Sequence, residues 1–374
     1  MIYRVRVAID ARKLHDFGIG TYIRNLLRQL ARLDRRTEYI LICGERDREL
    51  GVSLGDNFRV EIDTSKPYSI WEQLTVPWAL VRTRAGIFHE PHYVLPPLTH
   101  CRSVVTIHDC IHLRFPQYLQ KPGALAYARA QMGAAARRSN RILTVSEASK
   151  RDILEYFKVP PEKITVIYNG IDERFATPPA EDQIRAVEER YQLQGEFALY
   201  VGNVKPHKNV ERLLDAFHLV RQSGLTDLKL VVIGDDISKY AALRRAVHRY
   251  NLHKYVRFLG FLSDETLAVV YRLASVFVFP SLYEGFGLPP LEAMACGTPV
   301  VTSNVSSLPE VTGDAALLVN PYSAEEIADA MRRVLTNPVL RADLSARALA
   351  RAREFSWERS ARRVLEIYDE VAHS

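Results

Sequence analysis

Two neighbouring stretches of sequence, SVFVFP at residues 275–280 and EGFGLPPLE at residues 284–292, decide the fold of the second half of this chain. The first is a short apolar run, which is typical of a buried strand. In the second, a glycine-rich turn leads to two prolines, which suit the first turn of a helix because no N–H is needed there. The sequence therefore predicts a strand, a turn and a helix, with Glu284 on the turn and Glu292 on the helix.

The predicted turn offers a place for a ligand between two carboxylates. Glycines let the backbone come close to a ligand, and the start of a helix attracts anions. A phosphate or a sugar could therefore bind between Glu284 and Glu292, so the pattern favours a sugar nucleotide. Retaining glycoside hydrolases also use two carboxyl groups, which face each other across the bond at about 5 to 5.5 Å. Here a turn separates the two acids, which argues against a hydrolase.

Length and composition indicate a globular protein of two domains. A chain of 374 residues is too long for one ordinary core, and its 47% hydrophobic and 25% charged residues are typical of globular proteins. The N-terminus lacks the apolar run of a signal peptide, and no window reaches the roughly 18 apolar residues of a membrane span, so we expect a cytoplasmic protein. The 4 cysteines form no C-x-x-C pair, so we expect thiols and no zinc site.

Positive charge is concentrated in the first half of the chain. Residues 1–170 contain 26 lysines and arginines against 17 aspartates and glutamates, a net charge of +9, which leaves −3 for residues 171–374. Arginine clusters, such as Arg82 with Arg84, could face an anionic membrane surface or a phosphate-bearing acceptor, or they could simply be solvated. No helix-turn-helix, zinc or RNA-binding motif accompanies the charge, so we expect no nucleic-acid partner.

Short apolar strands alternate with longer helices twice along the chain, six strands each time, which is typical of parallel sheets with right-handed crossovers. The predicted fold class is α/β, with two Rossmann-like, doubly wound domains facing each other across a cleft. We assign an N-terminal Rossmann-like domain, a linker, a C-terminal Rossmann-like domain and a C-terminal helix that crosses back to the first domain, at residues 1–172, 173–195, 196–355 and 356–374.

The carboxyl ends of parallel strands are where such sheets bind ligands, and a glycine pair follows the first predicted strand. Gly18 and Gly20 precede a helix predicted at residues 22–33. Their amides could approach a phosphate, or these glycines could merely close a turn. The segment is a poor nicotinamide fingerprint, because Ile23 occupies the position of a third glycine.

A histidine ends another predicted strand of the first half. His108 could hydrogen-bond a sugar hydroxyl in either protonation state, or it could be structural. His89, Glu90 and His92 follow the preceding strand and could line the same cleft. Because their spacing is not that of a helical H-E-x-x-H motif, we expect no metal site.

Cationic residues follow the first predicted strand of the second half. The segment GNVKPHKN at residues 202–209 leads from this strand into a helix. Lys208, near the helix start, could neutralise a diphosphate, with Lys205 or His207 in reserve. The alternative is a solvated, charged loop.

Together these motifs resemble glycosyltransferase family 4, the retaining enzymes with the GT-B fold, over almost the whole chain. The most specific part is the E-x7-E stretch from Glu284 to Glu292. The sequences of residues 91–93 and 201–209 are most similar to the mannosyltransferase-like branch that builds bacterial polysaccharides. Further support comes from DAR at 10–12, GIG at 18–20, TIHD at 106–109, TVSE at 144–147, NGID at 169–172 and SSLPE at 306–310.

The resemblance implies that residues 1–172 form the acceptor-side domain and residues 196–355 the donor-nucleotide-binding domain. It also implies a role for each matching residue. Glu284 would hold hydroxyls of the donor sugar and stabilise positive charge at the anomeric carbon, and Glu292 would bind the ribose. His108 would touch the donor sugar near the reacting centre, and Lys208 would stabilise the leaving diphosphate. The rest of the implied donor-binding set is Gly18, Gly20, Asn203, Lys205, His207, Gly285, Phe286, Gly287 and Leu288.

One position departs from the family pattern. Many members carry an arginine just after the glycine that precedes the lysine motif, and here that position is Asn203. The departure puts the usual arginine and lysine clamp on the diphosphate in doubt. Lys205 and His207 are the candidate substitutes.

The resemblance implies a cytoplasmic, metal-independent, retaining hexosyltransferase of polysaccharide biosynthesis. It would transfer mannose or a related hexose from a nucleoside-diphosphate sugar, with GDP-mannose as the expected co-substrate, to a glycan or a lipid-linked glycan. We expect no cofactor, and the absence of a D-x-D triplet argues against an obligatory metal. The alternatives are a GT-B-fold sugar-nucleotide epimerase or phosphorylase, and a noncatalytic sugar-nucleotide-binding protein. Peripheral membrane contact through the basic N-terminal half is the further expected partnership.

Overall fold

Each half of the chain folds around one parallel β-sheet in the computed structural model, which describes residues 5–119, 122–234 and 240–373. The first unit contains Met1–Gly170 together with Ser356–Ser374, and the second contains Ile171–Phe355. All strand pairs in both sheets are parallel. The prediction of two doubly wound α/β domains is confirmed.

The first unit has seven described strands in the order β3-β2-β1-β4-β5-β6-β7. The strands are β1 Arg6–Asp10, β2 Glu38–Cys43, β3 Phe58–Ile62, β4 Ile87–Glu90, β5 Arg102–Thr106, β6 Arg141–Thr144 and β7 Ile164–Val166. The main helices are α1 Phe17–Leu33, α2 Leu50–Leu54, α3 Glu72–Thr83, α4 Ile111–Arg114, α5 Ala124–Arg138 and α6 Glu147–Phe157. Apolar side chains from the strands and from α3, α5 and α6 form one buried core.

The sequence predicted six strands in this unit and missed β3. This strand lies at the edge of the sheet, where it pairs with β2 alone, and only Phe58 among its residues is fully buried. Arg59 and Glu61 interrupt its apolar pattern, as suits an edge strand that is partly exposed to water. The weak apolar signal is therefore a consequence of the position of β3 in the sheet.

The second unit has six described strands in the order β10-β9-β8-β11-β12-β13, as many as the sequence predicted. The strands are β8 Phe197–Gly202, β9 Lys229–Gly234, β10 Val256–Gly260, β11 Val276–Phe279, β12 Val300–Ser303 and β13 Ala316–Val319. The helices are α7 Glu173–Ala176, α8 Glu181–Tyr191, α9 Val210–Gln222, α10 Ala241–Arg249, α11 Asp264–Leu273, α12 Leu288–Ala295, α13 Leu308–Thr312, α14 Ala324–Thr336 and α15 Pro338–Ala352.

The segment predicted as a linker contains helices. Residues 173–195 include α7 and α8, and they group with the second unit. Pro178 and Pro179 interrupt the helical pattern between them, which made the segment look irregular in the sequence. Arg174 ties α7 to α11 through Asp264 and Glu265.

The last helix, α16 Trp357–His373, belongs to the first unit. Tyr368 on this helix bonds to the Nδ1 atom of the buried His89, at 2.6 Å between the hydroxyl oxygen and the ring nitrogen. Ser360 donates a hydrogen bond to the backbone oxygen of Tyr168 at 2.5 Å. The contacts place α16 against the sheet of the first unit.

Candidate active site

The strand order of the second unit reverses between β8 and β11, which lie side by side at the centre of the sheet. Open α/β sheets bind ligands at such a reversal, just beyond the carboxyl ends of the two strands. The segment after β8 carries Lys208, and the segment after β11 carries Glu284. Two of the predicted site residues therefore come from the place where the fold itself favours a ligand.

Lys208 and Glu284 are bonded directly to each other. The Nζ atom of Lys208 donates to both carboxylate oxygens of Glu284, at 2.6 and 2.8 Å. The two side chains are 13% and 12% exposed, and the ammonium lies 5.3 Å from the ring centre of Phe279. The sequence had assigned the two residues to different parts of a ligand and did not predict this ion pair.

Hydrogen bonds to backbone carbonyls hold together the two loops that carry this ion pair. The side-chain amide of Asn209 donates to the carbonyl oxygens of Pro280 and Pro321, at 3.0 and 2.6 Å. The N–H of Leu282 donates to the carbonyl of His207 at 2.7 Å. Asn209 has a φ of 60°, in the left-handed region that asparagine tolerates better than most residues. It positions Lys208, and its place after the lysine was the only signal for it in the sequence.

Two serines from the SSLPE segment hold the turn that carries Glu284. The Oγ atom of Ser306 accepts from the N–H of Glu284 at 3.0 Å and donates to its carbonyl oxygen at 2.5 Å. The hydroxyl of Ser307, which is fully buried, lies 2.7 Å from the carbonyl oxygen of Phe286 and 3.0 Å from that of Glu284. The backbone of the turn is therefore fixed on both sides of the carboxylate.

The backbone of this turn also limits what can donate to an anion. Gly287 has a φ of +112°, and a Cβ atom there would lie 2.9 Å from Leu308, so only glycine fits. Of the first three residues of α12, Leu288 alone has an N–H, because the next two are prolines. The donors that the sequence assigned to the helix start are therefore confined to the turn and to its first helical residue.

Glu292 lies on α12 and is positioned by a hydrogen bond. Its Oε2 atom accepts a hydrogen bond from the hydroxyl of the buried Tyr271 at 2.9 Å. Burial raises the pKa of Glu292 to about 7, although the bond from Tyr271 acts in the opposite direction. Near neutral pH the carboxyl can therefore gain or lose a proton.

The other cationic candidates of this unit lie in different environments. His207 is buried, whereas Lys205 is exposed. Asn203 accepts from the hydroxyl of Tyr200 through its carbonyl oxygen, at 2.8 Å, and its side-chain oxygen lies 3.5 Å from the N–H of Lys205. Of the two substitutes suggested for an arginine at position 203, the exposed Lys205 is the better placed to meet a ligand from solvent.

The first unit has its own strand reversal, between β1 and β4, and charged residues lie there too. Arg12 binds Asp10 through its backbone N–H and its guanidinium, and the same guanidinium lies 3.3 Å from Asp63 and 3.4 Å from Glu72. The sequence had singled out Asp10 and Arg12 only as a family motif. Glu72 was missed because it comes from α3, far away in the chain.

A small polar pocket lies beside this cluster, lined by Lys13, Tyr68, Glu90 and His92 among others. Burial, reinforced by the charge of Asp10, raises the pKa of Glu90 well above its usual value. The Glu90 carboxyl is hydrogen-bonded to the side chain of Asp10. The Nδ1 atom of His92 is buried and has no hydrogen-bond partner.

His108 and His89 have different environments. The Nε2 atom of His108 donates to the carbonyl oxygen of Pro91 at 3.0 Å, and its ring meets that of Tyr22 edge-on. Burial lowers the pKa of His108, which leaves a neutral ring with Nδ1 as an acceptor for a hydroxyl. His89 is completely buried between Tyr368 and Thr106, and burial lowers its pKa to about 3, so its role is structural.

The predicted glycine loop of the first unit is helical. Helix α1 begins at Phe17, so Gly18 and Gly20 lie in its first turn and not in a loop that precedes residue 22. The N–H of Gly20 donates to Asp16 at 3.0 Å, and a Cβ atom at Gly20 would lie 2.5 Å from the carbonyl oxygen of Leu14. The close approach of Leu14 explains why position 20 is a glycine, and the N–H of Gly20 already donates a hydrogen bond to the backbone of Asp16. Gly18 has open space around it.

The described parts of the chain contain neither a metal-binding cluster nor a membrane-spanning helix. Within residues 5–119, 122–234 and 240–373, no group of three or more histidine, cysteine, aspartate or glutamate side chains could hold a metal ion. Over the same ranges, no helix combines the length and apolarity that crossing a bilayer requires.

Comparison with known proteins identifies the class. The family models described as Glycosyltransferase Family 4 and Glycosyl transferases group 1 match residues 18–175 and 182–351. The chain belongs to glycosyltransferase family 4 and is a glycosyltransferase. The seven- and six-stranded sheets have the GT-B architecture, as in sucrose-phosphate synthase from Thermosynechococcus elongatus, which aligns with a TM-score of 0.79 at 21% identity over 99% of this chain and all of that one.

The relatives that this chain resembles in sequence include several mannosyltransferases. It is 36% identical to the O-antigen chain mannosyltransferase B of Escherichia coli over 293 residues, which is 78% of this chain and 76% of that protein. It is 32% identical to the serotype-specific mannosyltransferase WbdA of Escherichia coli over 278 residues, 73% of this chain, but that match spans only 34% of WbdA. The similarity to the mannosyltransferase branch, predicted from residues 91–93 and 201–209, is confirmed.

Proposed function

We propose that the protein is a retaining, metal-independent transferase that moves mannose from GDP-mannose to a glycan or lipid-linked glycan on the cytoplasmic side of a membrane. The ion pair of Lys208 and Glu284, at the strand reversal of the second unit, carries the proposal. The mannosyltransferase relatives support mannose as the sugar. The basic first unit supports an anionic acceptor such as a diphosphate-linked glycan.

The ion pair supplies both charges that sugar transfer from a nucleotide requires. As the bond to the leaving diphosphate breaks, positive charge grows at the anomeric carbon and negative charge grows on the phosphate. A diphosphate would attract the ammonium of Lys208 away from Glu284 and release the carboxylate to bind sugar hydroxyls. Both groups would then stabilise the transition state more than the ground state, which is the condition for catalysis.

Glu292, His108 and Gly18 keep the roles predicted from the resemblance. Glu292 would accept hydrogen bonds from the ribose, and His108 would contact the donor sugar through Nδ1. Transfer with retention would follow attack on the same face of the sugar, with a phosphate oxygen of the donor helping to take the acceptor's proton. No metal takes part in this scheme, because Lys208 neutralises the diphosphate.

The test is transfer from labelled GDP-mannose by the purified full chain, with UDP-glucose and ADP-glucose as competing donors. We expect transfer to mannose-containing, lipid-diphosphate-linked acceptors, α-linked product and full activity in EDTA. Lys208→Ala and Glu284→Ala should each lower transfer about 100- to 1000-fold, as loss of a group that stabilises developing charge typically does. Asp329→Ala, at an exposed ion pair of the same unit, is the control and should leave transfer unchanged.

Several outcomes would overturn the proposal. Full activity in both active-site variants would remove the ion pair from the mechanism. Preference for another donor, a β-linked product or inactivation by EDTA would contradict the donor, the retention or the metal independence. Donor binding without transfer or donor hydrolysis would indicate a noncatalytic protein.

A further inference from the structure

Helix α3 has two apolar faces, and only one of them is covered by the protein. Val76, Ala79 and Leu80 point into the core of the first unit and are at most 5% exposed. A single surface helix of a globular protein normally has one apolar stripe and a polar opposite face. Here the opposite face is apolar as well, so the helix carries a surface that the unit's own core does not use.

The outer face of α3 consists of five large apolar side chains, which we call the α3 outer face. Ile70 is 80% exposed, Trp71 68%, Leu74 53%, Trp78 67% and Val81 52%. The N–H groups of residues 73 and 74 donate to the carbonyls of residues 70 and 71, so the turn before Glu72 continues the helical path. At 3.6 residues per turn, these five positions fall within one stripe about 100° wide.

Such a stripe is unusual on a surface. Isolated exposed apolar residues are ordinary, but a contiguous group that includes two tryptophans marks an interaction site. Of the 3 tryptophans in the chain, two belong to the α3 outer face. Tryptophan is the side chain that prefers the boundary between lipid headgroups and hydrocarbon, where its apolar ring and its N–H are both accommodated.

The charge around this face complements an anionic lipid surface. Exposed basic residues lie at both ends, with Lys66 before the helix and Arg82 and Arg84 at its end. Residues 1–170 and 356–374 together carry a net charge of +8, whereas residues 171–355 carry −2. Two copies of the first unit would repel each other, and an anionic bilayer would attract it.

We propose that the α3 outer face docks the protein on anionic membrane by inserting Trp71, Leu74 and Trp78 at the level of the headgroups. The helix would lie in the plane of the interface, with its inner face still packed on the core. The proposal gives a location to the membrane contact included in the proposed function. It concerns binding alone, and its test uses neither donor nor acceptor, so its failure and a failure of the transfer proposal are distinguishable.

The same helix links the docked surface to the charged cluster of the first unit. Glu72 lies on the inner side of α3, between Trp71 and Leu74 in the sequence, and its carboxylate is 3.4 Å from Arg12. A membrane contact at the α3 outer face would therefore occur one residue away from the cluster at the strand reversal. The first unit would then be docked on the same membrane surface that holds the lipid of a lipid-linked acceptor.

Intrinsic fluorescence can test the proposal, because the third tryptophan, Trp357, is only 4% exposed. The full chain should sediment with vesicles that contain phosphatidylglycerol and not with phosphatidylcholine vesicles. On binding, the tryptophan emission should shift to shorter wavelength and be quenched by brominated lipid chains. Because burying an aromatic or leucine side chain is worth one to two powers of ten in affinity, Leu74→Gln should weaken binding about 10-fold and Trp71→Gln with Trp78→Gln about 100-fold.

The matched control is Val52→Gln, which replaces an 87% exposed apolar residue on α2 of the same unit. This variant should bind vesicles as the wild type does, and circular dichroism should show that all variants are folded. Sedimentation without a spectral shift, or equal binding by the α3 variants, would overturn the proposal. Concentration-dependent dimerisation that the α3 variants abolish would also overturn it and would assign the face to a second copy of the chain.

Discussion

The ion pair of Lys208 and Glu284 makes a prediction about stability that is separate from catalysis. Replacing one partner leaves the other charged and largely buried, since the two side chains are 13% and 12% exposed. Lys208→Met removes the ammonium and keeps the length of the side chain. Glu284→Gln removes the charge and keeps the shape. The double variant removes both charges and leaves no unpaired ion.

The expected loss of stability follows from the distances within the ion pair. The Nζ atom lies 2.6 and 2.8 Å from the two carboxylate oxygens, so the gross attraction is roughly 6 kcal/mol at an effective dielectric constant of about 20. Loss of hydration by both ions offsets most of this attraction. Hydrogen bonds to charged groups contribute about 1.5 to 3 kcal/mol net. We therefore expect each single variant to lose about 2 to 3 kcal/mol and the coupling energy of the double-mutant cycle to be about 2 kcal/mol.

The assay must separate the two units. All 3 tryptophans lie in the first unit, so a thermal transition that appears in far-ultraviolet circular dichroism but not in tryptophan fluorescence reports on the second unit. For a unit of this size, 1 kcal/mol corresponds to about 2 to 4 °C in Tm. The single variants should lower the Tm of that transition by about 4 to 12 °C, and the double variant should not lower it further.

The control cycle uses Asp329 and Arg332, an exposed pair in the same unit, whose side chains are 51% and 48% exposed. Its coupling energy should be no more than about 0.5 kcal/mol, because water screens exposed ion pairs. If the effects of Lys208→Met and Glu284→Gln simply add, the two groups do not interact in solution. That result would refute the ion pair and the exchange of partners that the proposed mechanism builds on it.

Two further predictions concern α12 and α1. Because the pKa of Glu292 is about 7 in the folded state against an ordinary 4.5, the folded state holds the extra proton, and stability falls as the pH rises from 4.5 through 7. Glu292→Gln should be within about 1 kcal/mol of the wild type at pH 5 and up to about 3 kcal/mol more stable in urea at pH 8; parallel pH curves would contradict this. Gly287→Ala should cost about 1 to 3 kcal/mol because of its φ of +112° and its clash with Leu308, whereas Gly18→Ala, in a helix with open space, should gain about 0.5 to 1 kcal/mol. If Gly287→Ala and Gly18→Ala change the free energy of unfolding equally, the backbone of the turn at Gly287 is not strained.

Local sequence patterns were sufficient for most of the strands because parallel strands are buried on both faces. Their near-continuous apolar runs stand out from amphipathic helices, as for β8 and β11. The same reasoning failed at β3, whose edge position leaves it partly polar, and at the start of α1, which lies five residues earlier than the predicted position 22. At α1 the glycine pair suggested a loop, although Gly20 is required by close packing within the helix.

The candidate residues could be named from the sequence, but their partners could not. Lys208 and Glu284 were selected singly, from a strand end and from a turn, and they lie 76 residues apart in the chain. Glu72 gave no signal at all, because its contact with Arg12 depends on how α3 packs against the sheet. Likewise, an apolar residue on α3 looks the same in the sequence whether it faces the core or the solvent.

By itself, the sequence determined the fold class, the alternation of strands and helices, the family and the identity of the candidate residues, because these depend on local periodicity and on short motifs. Only the tertiary structure decided that Lys208 is paired with Glu284, that Glu292 accepts a hydrogen bond from the buried Tyr271, and that the α3 outer face is exposed. These features arise where segments distant in the chain meet at the edge of a sheet. Distance, burial and charge pairing are properties of that meeting, and no local pattern encodes them.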